Sequence, residues 1–176
     1  MTRAQLEHVI RAAATIAADP DIVVIGSQAI LGQFPDAPSE LLVSNEADVY
    51  PRGHPERSDL IDGSIGELSP FHETYGYYAQ GIGRDTAVVP EGWEDRLIPV
   101  RTSAGTGWCL EVHDLVISKY VAGREKDRAF VRVALKHGLA QGRTLLTRLA
   151  STPLPREQRE GLSRQIEEDC RQLDLR

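Results

Sequence analysis

Lysine is scarce in this chain. Lys119, Lys126 and Lys136 are the only three in 176 residues, and arginine supplies the rest of the positive charge. Cysteine is scarcer still. Cys109 and Cys170 stand far apart, with no C-x-x-C partner and no histidine at ligand spacing. That pattern argues against a disulfide framework and a structural zinc, and a reducing cytoplasm is the expected home. No apolar run approaches the roughly twenty residues a membrane-spanning helix needs, so no membrane partner is expected. The opening "MTRAQLEHVIRAAATIAADPD" carries charge at both ends and inside, and reads as an amphipathic helix rather than a signal peptide. An excess of positive charge is also missing. The net charge of -6 argues against a broad nucleic-acid platform while leaving room for a local basic cleft built from arginines. Three common catalytic signatures are absent. Gln28 and Leu31 stand where a dinucleotide fingerprint starting at Gly26 needs glycine, no Gly-Lys-Ser/Thr follows, and "GSIG" at 63–66 is not G-x-S-x-G.

What is present suits a globular protein. Hydrophobic residues make up 41% and charged residues 26%. The length predicts one domain with a helical extension, and the expected division is a domain over 1–138 and a helical extension over 139–176 packed on it. Leu6, Val9, Ile10, Ala13, Ile16 and Ala17 recur at helical spacing over 3–18, and "ADPD" ends that helix. "IVVI" at 22–25 is a short, wholly apolar run of the kind a central strand shows. A short helix follows over roughly 27–34, then a strand over 41–50, a helix over 56–67, and a long loop over 69–94 with a strand near "TAVVP". "RLIPVRT" and "GWCLEV" predict a hairpin around "SAGT". From Asp114, expected to cap a helix 115–122, the pattern is helical to the end, with Gly123 as a break, Gly138 as a stop, and helices over 140–150 and 156–173. The order predicts an α/β (α+β) protein: a small mixed sheet covered by helices, with a helical C-terminal half.

Two stretches carry chemistry. In "VVIGSQAIL" a strand reaches Gly26-Ser27 and turns into a helix, so backbone N–H groups are presented to an anion. Alone, a Gly-Ser turn after a strand is most often only a turn. In "NEADVYP" the strand alternation puts Glu46, Asp48 and Tyr50 on one face. Two carboxylates so placed repel each other and can share a divalent cation, and their hard oxygens suit Mg²⁺ or Mn²⁺. An isolated E-x-D pair is most often a solvated strand face. Together the two stretches say more: if their strands are neighbours, triphosphate and metal meet between them. Eighteen residues, 28–45, separate Ser27 from Glu46.

This arrangement resembles the minimal nucleotidyltransferase fold of the polymerase-beta type. "HDLVISKYVAGREKDRAFV" at 113–131 is similar to a segment of the AbiEii and MenT toxin-type nucleotidyltransferases and their short bacterial relatives. The resemblance spans about residues 20–138. It implies that Gly26 and Ser27 bind nucleotide phosphates, that Glu46 and Asp48 hold Mg²⁺ or Mn²⁺, and that Lys119 contacts substrate phosphate. Asp127 matches the downstream acidic residue. Glu111, at the end of "GWCLEV", is the rival third carboxylate by strand placement. In one unbroken helix Asp127 would lie about 12 Å along the axis from Lys119, so a shared role needs Gly123 to break the helix or the substrate to bridge them. The implied activity moves an NMP from an NTP to a hydroxyl, on a tRNA 3′ end or a protein, and the implied partner is a cognate antitoxin. The competing expectation is a catalytically silent protein of this fold that binds nucleotide or a partner.

Other candidates read more plainly. Lys119 could lay its stem on apolar surface. Arg124 and Asp127, three apart, could be a helix-surface pair. His113 is expected at a helix start, and "FHETYGYY" at 71–78 is expected to fill core. The C-terminal run from Arg156 is expected to be a solvated helix face.

Overall fold

The computed structural model describes residues 1–173. Contacts fall into two compact units: residues 1–86 with 97–111, and residues 87–96 with the chain from 112 on.

The first unit is built on a five-stranded sheet of order β3-β2-β1-β5-β4. Its strands are β1 (Asp21–Ile25), β2 (Glu46–Pro51), β3 (Tyr78–Gly81), β4 (Ile98–Arg101) and β5 (Thr106–Cys109). β1 is central, as four buried β-branched residues in a row require. It pairs antiparallel with β2 and parallel with β5, which makes the sheet mixed. Paired residues share a face, so Ile22, Val24, Ala47, Val49 and Cys109 point one way. Helix α1 (Arg3–Ala17) lies on that face: a Cβ at Gly107 would run into Ile10. The short α2 (Ile30–Gln33) crosses it at Gly32, against Cys109, and α3 (Ser58–Ile65) crosses it at Gly81. The opposite face carries Asp21, Val23 and Ile25 beside Glu46, Asp48, Tyr50 and Trp108.

Three expectations need correction here. The strand expected over 41–50 begins only at Glu46, because Ser39–Leu41 form a 3-10 turn and the N-terminal amine takes the Leu42 and Ser44 carbonyls at 2.7 and 2.9 Å. The long loop expected over 69–94 holds a helix, α4 (Pro70–Tyr75), and the edge strand β3. Ser69 caps α4, accepting a hydrogen bond from the His72 N–H, and Pro70 opens it. "TAVVP" forms no strand.

The second unit contains α5 (Val112–Ala122), α6 (Glu125–Lys136), α7 (Gly142–Ala150) and α8 (Arg156–Gln172). Asp114 does not cap α5, which starts two residues earlier. Its fully buried carboxylate accepts from Arg96 at 2.7 and 3.1 Å and sits 3.4 Å from Arg148 Nε. His113 Nε2 meets Gln141 at 2.7 Å in the first turn of α5, as expected of a helix-start residue. Most of α8 is solvated, and Ile166 is its one fully buried residue.

Candidate active site

The distance between Ser27 and Glu46 in sequence does not separate them in space. β1 and β2 run antiparallel with Ile25 opposite Asp48, so the end of β1 and the start of β2 lie together. Gly26 follows at φ +69 and ψ -175, a region essentially confined to glycine. The side-chain-free Cα is used twice over. A Cβ there would lie 2.9 Å from Asp48 Cγ and closer still to Oδ2. The Asp48 carboxylate thus rests on the turn itself. Beyond Gly26, Ser27–Ala29 form a 3-10 turn that leads into α2. The first N–H groups of such a turn have no carbonyl of their own to meet.

Glu46 sits two residues earlier on the same face, half-buried. Its Oε2 accepts a hydrogen bond of 3.0 Å from the Tyr78 hydroxyl, its register partner on β3. The His72 ring of α4 packs against Tyr78 at 4.5 Å between centroids. Burial pushes the Tyr78 phenol up to about 12, helped by the Glu46 hydrogen bond and charge and by the charges of Glu67 and Asp48. At neutral pH Tyr78 is therefore a proton donor that fixes the longer, more flexible Glu46 side chain. Tyr78 and His72 were expected to fill core. The alternation that flags Glu46 and Asp48 is invisible for β3, a strand of four residues.

Gln28, fully buried one residue past Ser27, adds a polar contribution. Its amide nitrogen lies 3.4 Å from Ser27 Oγ, while its Oε1 meets no donor among the described residues. The electrostatics of the whole unit are equally lopsided. Residues 1–86 and 97–111 hold fourteen Asp and Glu against six Arg, a formal -8. A triphosphate would meet strong repulsion at such a surface unless a cation came with it. Among the described residues no three His, Cys, Asp or Glu side chains gather into a metal cluster, and Glu111, half-buried past the end of β5, does not complete one with Glu46 and Asp48. Two carboxylates still fit Mg²⁺, which keeps waters and takes substrate phosphate oxygens as its other ligands.

The remaining pair lies in the second unit. Gly123, at φ +64, ends α5 and lets α6 start at Glu125. The break brings Lys119 Nζ to 3.1 Å from Asp127 Oδ1, where an unbroken helix would hold them apart. Arg124 closes on the other oxygen at 2.6 Å, so the Arg124–Asp127 pair is part of a clasp. Asp127 is 1% exposed; burial alone would raise its pKa, but Arg124 and Lys119 outweigh that and hold it below the usual carboxylate range. Lys119 also lies 5.6 Å from the centre of the Phe130 ring.

A mixed sheet in which a Gly-Ser turn abuts an E-x-D strand defines a nucleotidyltransferase-like fold. Residues 4–137, more than half of the chain, match the family described as "Nucleotidyltransferase of unknown function (DUF6036)", and the chain belongs to that family. No curated protein and no solved structure matches it significantly.

Proposed function

We propose that the protein transfers an NMP from an NTP to a hydroxyl acceptor with Mg²⁺ or Mn²⁺, and that Gly26, Ser27, Glu46 and Asp48 form the reaction centre. The observation that carries this reading is the contact of the Asp48 carboxylate with Gly26, which sets an acidic pair beside an anion-friendly turn. Glu46 and Asp48 would hold the metal, which when bound supplies charge to the phosphates and lowers the pKa of the attacking hydroxyl. The Ser27 hydroxyl and the turn's N–H groups take the β- and γ-phosphates. Tyr78 holds Glu46 in place. The acceptor oxygen forms a bond to the α-phosphorus, the bond from that phosphorus to the bridging oxygen breaks, pyrophosphate leaves, and the hydroxyl proton passes to water. A tRNA 3′ end, a protein side chain and a small molecule each present such a hydroxyl. A cognate antitoxin would act by covering the turn.

The test is incubation of the protein with α-labelled NTPs, Mg²⁺, and total RNA or lysate. Label should enter one acceptor class with the wild type. Asp48→Asn should lower transfer at least a hundredfold while leaving the melting profile intact. Equal transfer by Asp48→Asn sinks the mechanism. Nucleotide binding without any transfer leaves a catalytically silent binding protein.

A further inference from the structure

The chain's positive charge is concentrated in one unit. Residues 87–96 and 112–173 carry thirteen Lys and Arg against eleven Asp and Glu, in a protein that is acidic as a whole. Many of those cations are committed. Arg96 and Arg148 serve Asp114, and Lys119 and Arg124 serve Asp127. Arg156 and Arg171 pair with Glu160 and Glu168. Lys126, Arg128, Arg132, Lys136, Arg143 and Arg164 are exposed, and none has an ion pair among the described residues; three of them, Arg128, Arg132 and Lys136, stand four apart on α6.

Their spacing is regular. Four residues advance a helix by about 6 Å and turn it by about 40° beyond a full circle, so the three cations make a band about 12 Å long. That band borders the buried face of α6 (Phe130, Val131, Ala134 and Leu135) at Arg128 and turns away from it toward Lys136. A step of about 6 Å is of the order of the distance between successive phosphates on a nucleic-acid strand. Arg128 and Arg132 also line a groove of about 580 Å³ between α6 and α8. Across it stand Gln165, whose amide can donate to a phosphate oxygen, and Gln172, whose Nε2 already donates to Glu168 at 3.0 Å. Among the described residues its one carboxylate is Asp169, which already accepts a hydrogen bond from the Tyr120 hydroxyl at 2.9 Å.

The surface chemistry separates a polynucleotide from a protein. Protein interfaces centre on buried apolar or aromatic anchors. Among the described residues, the exposed large hydrophobic side chains are Val43, Leu60, Leu68, Tyr75 and Val88, none of them on α6 or α8. Tyr120, Val131 and Leu173 also line the groove, but Tyr120 and Val131 are buried, so the exposed chemistry is that of regularly spaced cations flanked by amides, which suits a phosphate backbone.

We propose that the Arg128–Arg132–Lys136 band and its groove bind the phosphate backbone of a polynucleotide, which would make a nucleic acid the acceptor class. That last step rests on the transferase reading; the binding does not. The test is fluorescence anisotropy with labelled single-stranded RNA, single-stranded DNA of the same sequence, and poly-glutamate, each across a salt series. Three phosphate contacts predict a slope of log affinity against log salt of about -2 for a single strand. Each single change to Gln at 128, 132 or 136 should flatten the slope by about 0.7, and the triple change should bring it near zero. Binding of RNA, of DNA or of both with that behaviour supports the proposal and tells the sources apart. A wild-type slope in the triple variant overturns it. So does poly-glutamate binding as tightly as either nucleic acid with the same sensitivity, which would mark an acidic protein as the occupant. Mg²⁺-NTP binding by the triple variant should be unchanged. A wild type that binds polynucleotide but no NTP would fail the transferase reading alone.

Discussion

At Gly26 a methyl group is opposed twice, by a backbone at φ +69 and ψ -175 that is essentially confined to glycine and by the Asp48 carboxylate it would strike. Gly123 also has a positive φ, but its nearest neighbour to a new Cβ is 3.7 Å away. Gly123→Ala should therefore cost only the strain, about 1 kcal/mol in urea unfolding. Gly26→Ala should cost clearly more, from the backbone and from Asp48 together; equal losses would contradict both. Leu68 offers the converse case. It is 80% exposed, at φ +61, and its side chain contributes little burial against that strain. Leu68→Gly should stabilise the protein by about 0.5–1 kcal/mol, the relief of strain being partly offset by a more flexible unfolded chain. At this scale the shared face of Glu46 and Asp48 could be read from strand alternation. The contact between Asp48 and Gly26 could not, because it depends on a pairing across an 18-residue excursion.

At the scale of elements, the break at Gly123 decides what Asp127 does. It turns two residues eight apart into an ion pair, and Arg124 completes the clasp. A carboxyl held below its ordinary pKa adds stability above the unfolded value of about 3.9, and loses it as pH falls through the folded value. Asp127→Asn should thus cost about 1–3 kcal/mol near pH 7. The gap from wild type should close as pH drops below about 4. A gap that stays constant down to pH 2 would contradict the clasp. Long periodic helices and the all-apolar β1 were legible because burial writes their pattern into the sequence. β3 and α4 were not, because four to six residues are too few to show a period. The true start of β2 was hidden for another reason: the N-terminal amine, 41 residues upstream of Leu42, removes carbonyls from the ladder.

For the whole molecule, charge is the organising quantity. A net charge of -6 conceals a sheet unit at -8 and a helical unit whose described residues sum to +2. Composition alone therefore argued against nucleic acid, while the distribution of charge supplies a basic band. The same asymmetry makes cation dependence the central claim for the sheet unit. The most direct measurement is calorimetric titration of NTP into the wild type and Asp48→Asn, each with Mg²⁺ and with EDTA. The account predicts that the wild type binds NTP only with Mg²⁺, and that Asp48→Asn loses at least tenfold in affinity. NTP binding that is as tight in EDTA, or unchanged in Asp48→Asn, would contradict it.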